Sequence, residues 1–195
     1  MARRSDHSKE EIKELAIKHA FKLIEANGET GFKARDIAKH MGYTVGTIYY
    51  VFGNMKNLRF HVCGKILDML HSIAIKELPK KKNKMNYHIT NYIEFSQKHM
   101  NLWLFLYSQK SSPRQKAPPW FLAKLDGLFL VYAEAFYPHT KNKRAALKAA
   151  HVILASMYGM SILAMNSAPD RMNSAEPVSM AKHLAKTYLK GLHNT

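Results

Sequence analysis

The run Gly42-Tyr43-Thr44-Val45-Gly46-Thr47-Ile48-Tyr49-Tyr50-Val51-Phe52 gathers hydroxyls, small residues and bare methyl groups in one short stretch. The chemistry these side chains offer is recognition rather than bond making. Thr47, Tyr49 and Tyr50 can donate to phosphate oxygens, contacts that set register without reading sequence. Val45 has no side-chain donor, but its methyls can meet a thymine methyl in a major groove. Gly46 carries no side chain, so a partner can approach the backbone itself. Such a set describes a groove-binding surface, not a catalytic pocket.

Enzymatic chemistry finds no comparable set. The 11 histidines are scattered, and none stands at the paired spacing of a helical metal site. No metal, no cofactor and no enzymatic turnover are expected. Gly42 and Gly46 stand four apart across a turn, without the further glycine and preceding strand that a nucleotide site needs. Cys63 is the only cysteine. It excludes an internal disulfide and a cysteine-based cluster, and it reads as a small buried residue. His61 lies two residues away and so faces another direction on a helix.

The elements that must position the recognition run are two short helices and a tight turn. Residues 34–41 place Ile37, Ala38 and Met41 on one apolar face, and Ala38 is small enough for close helix crossing. Gly42 supplies positive φ, so the first helix can end and the chain can turn. Thr44 is expected to cap the next helix through its hydroxyl. Ile48, Val51 and Phe52 are spaced to face inward. Two helices joined in this way form a helix-turn-helix, whose second helix presents its N-terminal end to base edges. Ahead of them, residues 9–27 are expected to form a helix. Ser8 and Glu11 make its capping box, Ile12, Leu15, Ala16, His19, Ala20 and Leu23 its inner face, and Asn27-Gly28 its end.

Gly28, Gly31, Arg35-Asp36-Ile37-Ala38, Gly42, Gly46-Thr47-Ile48-Tyr49, Phe52 and Leu58 together resemble the DNA-binding domain of the tetracycline-repressor (TetR) family of bacterial regulators. The resemblance covers about the first 60 residues. It implies an all-α fold: three small helices that bind DNA, then a larger C-terminal helical domain that binds a ligand and dimerises. The implied division is 1–54 for DNA and 55–195 for effector and dimer. It places Val45, Gly46 and Tyr50 near base edges, and Thr44, Thr47 and Tyr49 on or near phosphates.

Two positions depart from the family pattern. Lys33 stands where Ser or Thr usually caps the second helix. It offers no acceptor and puts positive charge at the positive end of a helix dipole, partly offset by Asp36. Met55-Lys56 stands where Lys then Glu is usual, so Lys56 is the candidate phosphate contact from the next position. Asn54 suits the cap of the fourth helix.

Composition agrees with a nucleic-acid partner. The chain has 195 residues and a formal net charge of +16. The excess is spread: 11 Lys/Arg against 7 Asp/Glu in residues 1–60, 10 against 3 in 61–116, and 9 against 4 thereafter. General charge accounts for weak attraction to any duplex, while the local motif carries specific recognition. A basic surface on the second domain is equally accounted for by solvation. Pro79-Lys80-Lys81-Lys82-Asn83-Lys84 reads as a solvated, charged linker.

The second domain is expected to be helical throughout, over about 55–78, 86–108, 119–137, 140–166 and 177–192, with no strand and no repeat. No membrane span is expected, since runs such as Leu102–Tyr107 and Leu125–Tyr137 are too short or interrupted. The N-terminus is polar, without the apolar core of a targeting segment. Cytoplasmic, nucleoid-associated placement is the expectation.

Bulky residues give this domain two readings, packed core or effector cavity. Met100, Tyr107 and Trp120, with Phe129, Tyr132, Met157 and Tyr158, are the candidate effector contacts, toward an apolar or weakly polar molecule. Ala155, Gly159 and Ala164 on helix 140–166, with Ala181, Ala185 and Tyr188 on the last helix, are candidates for close packing against another helix. The family resemblance implies that the last two helices pair with their copies in a homodimer. The sequence by itself equally permits a monomer core. A specific, ligand-responsive repressor of a palindromic operator is thus expected; the alternative is a basic, non-specific or architectural DNA-binding protein without an effector.

Overall fold

Helix follows helix through the residues that the computed structural model describes, 7–76, 83–108, 116–166 and 176–193. No strand occurs among them. The elements are α1 (Lys9–Asn27), α2 (Ala34–Met41), α3 (Val45–Phe52), α4 (Met55–Lys76), α5 (Lys84–Lys98), α6 (Met100–Tyr107), α7 (Pro119–Phe136), α8 (Lys143–Asn166) and α9 (Pro177–His193). The expected helix 86–108 is two helices, because His99 adopts φ −119° and ψ 44° and starts α6 afresh. The expected loop at Pro79–Lys82, the loop 167–175 and the break at Pro113 lie outside the described residues.

The chain groups into two compact units, one of residues 1–66 and 99–122, the other of 67–98 and 123–195. The first unit takes in the start of α4, α6 and the first turn of α7 besides the helix-turn-helix.

In the first unit the expected capping box is present. The Glu11 N–H donates to Ser8 Oγ at 3.3 Å, and the Ser8 N–H donates to Glu11 Oε2 at 2.6 Å. The Ser8 N–H, and after it the Ser8 side chain, hold the Glu11 carboxyl below its usual pKa. Along α1 the buried line is Ala16, Ala20 and Ile24. This four-residue spacing runs along one ridge, and its two alanines let α2 and α3 pack close. Ile12, Leu15, His19 and Leu23 flank that line and are only half-buried.

A contact that sequence reading missed ties this unit together. The Arg59 guanidinium lies 4.1 Å from the Phe105 ring centroid and 4.9 Å from that of Phe32. It also pairs with Glu29 and reaches Ser108 Oγ at 3.3 Å. One α4 side chain therefore holds the turn after α1, the approach to α2, and α6. A planar guanidinium can stack and donate at once, which a lysine cannot. Cys63, one helical turn on from Arg59, is fully buried, and desolvation pushes its thiol up to about 12, which disfavours the reactive thiolate.

In the second unit α5, α8 and α9 pack on one another. Their core includes Ile89, Ile93, Ala149, Ile153, Met157, Ala181 and Ala185. The expectation of no span-length apolar helix needs correction. Lys143–Met165 in α8 is long and apolar enough to cross a membrane, by length and composition alone. Here it packs against α5 and α9. The reading missed it because the small residues Ala, Ser and Gly hid how few charges the segment carries.

Candidate nucleic-acid interface

The turn between α2 and α3 is built as its residues dictate. Gly42 sits in the left-handed region at φ 72° and ψ 27°. Its N–H donates to Lys39 O at 3.1 Å, and the Tyr43 N–H donates to Ala38 O at 2.9 Å. This is the paired closure of a Schellman motif. Lys33 precedes α2 without a side-chain cap. Its backbone N–H instead donates to Gly31 O at 3.1 Å.

Thr44 occupies the cap position of α3, but its hydroxyl does not cap the helix. Its Oγ1 lies 3.2 Å from Thr47 Oγ1, one hydroxyl donating to the other. The expectation of a hydroxyl cap was therefore wrong. The competing partner is one turn away, where a cap's backbone target would also be. The Thr47 N–H donates to the Thr44 carbonyl oxygen at 3.1 Å, and the first turn of α3 goes without a side-chain cap.

Ile48 and Phe52 are buried against the support, while Val51 is only half-buried. The opposite face is open: Tyr50 is 64% exposed and Tyr49 46%. Thr44 and Gly46 are exposed, and Val45 and Thr47 are half-buried. The structure thus brings Thr44 through Tyr50 onto one short helix. Lys56 lies half-buried in the first turn of α4 and Lys33 is exposed before α2. Asn54 caps α4, its Oδ1 accepting from the Asn57 N–H at 2.9 Å.

Sequence reading also missed Lys9. Its ammonium stands 5.0 Å from the Tyr50 ring centroid and adds fixed positive charge beside the exposed face. The two residues lie 41 positions apart in the chain, so no local pattern signals the pairing. Nearby, Tyr43 Oη and His7 Nδ1 are 2.8 Å apart.

Gly46 separates folding from function. A Cβ built there would meet only Thr44 Oγ1, at an ordinary 3.6 Å. Nothing within the fold requires glycine, and glycine costs a helix about 0.5–1 kcal/mol relative to alanine. Gly46→Ala is therefore expected to melt at the same or a slightly higher temperature. It is expected to bind duplex DNA about tenfold more weakly, the methyl standing off a partner that approaches the backbone. Thermal melting and equilibrium binding on the same preparation check both halves. Unchanged binding would remove Gly46 from the interface.

The candidate effector residues divide between the units. Met100, Tyr107 and Trp120 belong to the first unit and are exposed. Trp120 stacks on His61, centroids 4.8 Å apart at 17°. With Val51 and Phe52 it lines a cleft of about 410 Å³ behind α3. Phe129, Tyr132, Met157 and Tyr158 belong to the second unit. Tyr132 and Met157 are buried there, and Phe129 stacks on His151 at 4.3 Å. A groove of about 420 Å³ in this unit runs between Leu130, Tyr137 and Leu147 instead.

The candidate pairing residues divide as well. Ala181 and Ala185 are fully buried within the chain. Their small side chains let the chain's own helices approach, so they have no surface to offer a second copy. Ala155 is exposed, and Gly159, Ala164 and Tyr188 are half-buried. Val152 and Leu163 on the same helix are 38% and 50% exposed. Among the described residues no cluster of His, Cys, Asp and Glu could hold a metal ion.

Residues 16–62 match the sequence model of the bacterial regulatory proteins of the tetR family. No curated protein sequence matches the chain. Solved structures do. A protein of unknown function from Rhodococcus sp. RHA1 superposes with a TM-score of 0.72 at 16% identity, over 98% of this chain and 99% of that one. A tetR-family transcriptional regulator from Streptomyces coelicolor gives 0.66 at 14%, over 95% and 82%. The TetR-family transcriptional repressor FadR of Thermus thermophilus, solved with lauroyl-CoA, gives 0.64 at 14%, over 92% and 94%.

Proposed function

We propose that the molecule is a ligand-responsive regulator, because residues 16–62 match the tetR family of bacterial regulatory proteins and the fold is similar to that of a tetR-family transcriptional regulator. It binds a palindromic operator as a homodimer, represses from it, and is released by a small apolar or weakly polar effector. The observation that carries the reading is the open face of α3. Tyr49 and Tyr50 are exposed there beside Gly46, whose missing side chain the fold does not need.

In this reading Thr44, Thr47, Tyr49, Lys33, Lys56 and Lys9 hold phosphates, and Val45, Gly46 and Tyr50 face base edges. Two heads related by a two-fold axis meet the duplex about 34–36 Å apart, one turn of DNA. The exposed apolar stripe of α8 through Val152, Ala155, Gly159 and Leu163 is the face that pairs. Residues 55–195 supply that face and the effector site, with Phe129, Tyr132, Met157 and Tyr158 as its apolar part. Helix α4 belongs to the first unit up to Ile66 and to the second from Leu67, so it is the element through which one site biases the other. The lauroyl-CoA in the structural neighbour supports a ligand-bound state for this fold.

Selection of bound fragments from the source genome with purified protein tests the reading. The expected result is one palindrome bound at least about a thousandfold more tightly than scrambled duplex at the same salt. A single salt-sensitive affinity for every duplex would instead favour a non-specific basic protein, which the net charge of +16 alone would explain. Once an effector is found, operator must weaken its binding by the same factor by which it weakens operator binding.

A further inference from the structure

His88 on α5 is fully buried, and neither ring nitrogen has a hydrogen-bond partner among the described residues. Asn91, three residues on and therefore on the same helix face, has its amide nitrogen buried without a partner as well. Buried polar atoms are nearly always paired, and an orphan costs the fold the desolvation of that group. Two such residues side by side call for a third party.

The surroundings define that party's chemistry. Met85, Ile89 and Tyr92 are buried on the same helix, and the Tyr132 ring lies 4.9 Å from the His88 ring, centroid to centroid. The buried polar residues of the described chain are His88, Ser96 and Ser161, none of them ionised. Ser96 and Ser161 are already paired with each other at 3.0 Å. Desolvation keeps His88 neutral, pushing its pKa down to about 4. The Lys84 ammonium, one turn earlier on the same helix, also lowers the ring's pKa but is itself exposed, so an ionised ligand group would meet no buried counter-charge and would enter at a heavy desolvation cost. A neutral group that both accepts and donates meets no such cost. A carboxamide fits either imidazole tautomer. Its oxygen accepts from Asn91, and its amino group donates to the ring lone pair. If the facing ring nitrogen is protonated, the same oxygen accepts from both.

We propose that His88 and Asn91 are the polar anchor of the effector site in the second unit, recognising an uncharged donor–acceptor group of the carboxamide type on an apolar body. The proposal rests on the effector reading above and gives it a polar end that Tyr132 and Met157 alone do not supply.

The test uses the full chain and three probes of one chain length: octanamide, octanoate and octylamine. Titration calorimetry at neutral pH is expected to find octanamide bound about tenfold or more tightly than either charged probe. The His88 ring-nitrogen resonances are expected to shift with octanamide. His88→Leu and Asn91→Leu are each expected to weaken octanamide about tenfold. His88→Leu should melt no lower than the parent, because the orphaned nitrogens are gone. His88→Gln, which keeps a donor and an acceptor, should stay within about threefold of the parent, and it serves if the leucine variant fails to fold.

Equal octanamide affinity in parent and variants would overturn the assignment. So would tighter binding of a charged probe, or no binding of octanamide to the parent. Operator affinity measured on the same preparations separates the two ideas. A parent that binds its operator and is released by another molecule, but ignores octanamide, keeps the regulator reading and loses this anchor. A parent that binds octanamide through His88 but prefers no duplex loses the regulator reading and keeps the anchor.

Discussion

Gly31→Ala is expected to unfold the N-terminal unit at temperatures the parent survives. A Cβ on Gly31 would stand 2.3 Å from the Leu23 carbonyl oxygen and 2.7 Å from its carbon, with the Ile24 nitrogen at 3.2 Å. Those are backbone atoms of α1, not the far end of a side chain that can swing away. Moving them breaks the last turn of the helix, where the Gly28 N–H bonds the Ile24 carbonyl. Ile24 is fully buried, so the disturbance reaches the core directly. A backbone clash of this kind belongs with severe overpacking, about 3 kcal/mol or more. For a chain of this size that lowers the melting temperature by roughly 10 °C. Melting followed by circular dichroism checks it, with Gly127→Ala as control. A Cβ there meets nothing within 4 Å, and the control should gain up to about 1 kcal/mol from helix propensity. Parent-like melting of Gly31→Ala would mean that the turn before α2 relaxes more easily than its packing implies.

Gly159→Leu is expected to leave each chain folded and to weaken the proposed homodimer severely. A Cβ at Gly159 meets nothing within 4 Å in the single chain. The first added carbon therefore meets no atom of the chain, and the substitution removes a helix-breaking residue. Its bulk is expected to be felt chiefly by a second copy packed on α8, where in the proposed dimer close approach depends on Ala155 and Gly159 lying between Val152 and Leu163. Overpacking such a seam suggests a dissociation constant raised about a hundredfold, with operator affinity falling in step because one head reads only half a palindrome. Sedimentation of parent and variant across a concentration series measures it. A parent that is monomeric at micromolar concentration would remove the dimer altogether. A variant that associates as tightly as the parent would move the seam away from the middle of α8.

The helix-turn-helix was legible from short-range rules. Gly42 marked the turn because only a residue at ease in the left-handed region closes α2 that way. Ser8 and Glu11 marked the start of α1, and Asn54 that of α4, because caps are written within three residues. The inward Ile48 and Phe52 and the outward Tyr49 and Tyr50 followed from helical period alone. The bounds of α1, α7 and α9 fell close to expectation for the same reason.

What the tertiary structure decided was every choice among partners distant in the chain. Arg59 became the clasp of the first unit because Phe32, Phe105 and Glu29 converge on it from three separate segments. Lys9 came to rest beside Tyr50 for the same kind of reason. Period and composition said that α8 and α9 have apolar sides lined with small residues, but not which side the chain covers with itself. The fold spent Ala181 and Ala185 on its own packing and left Ala155 and Gly159 open. His88 was one of 11 histidines in the sequence. Only the burial of α5 among helices remote from it in the chain left the ring without a partner, since desolvation is a property of the surrounding volume and not of neighbouring residues in sequence.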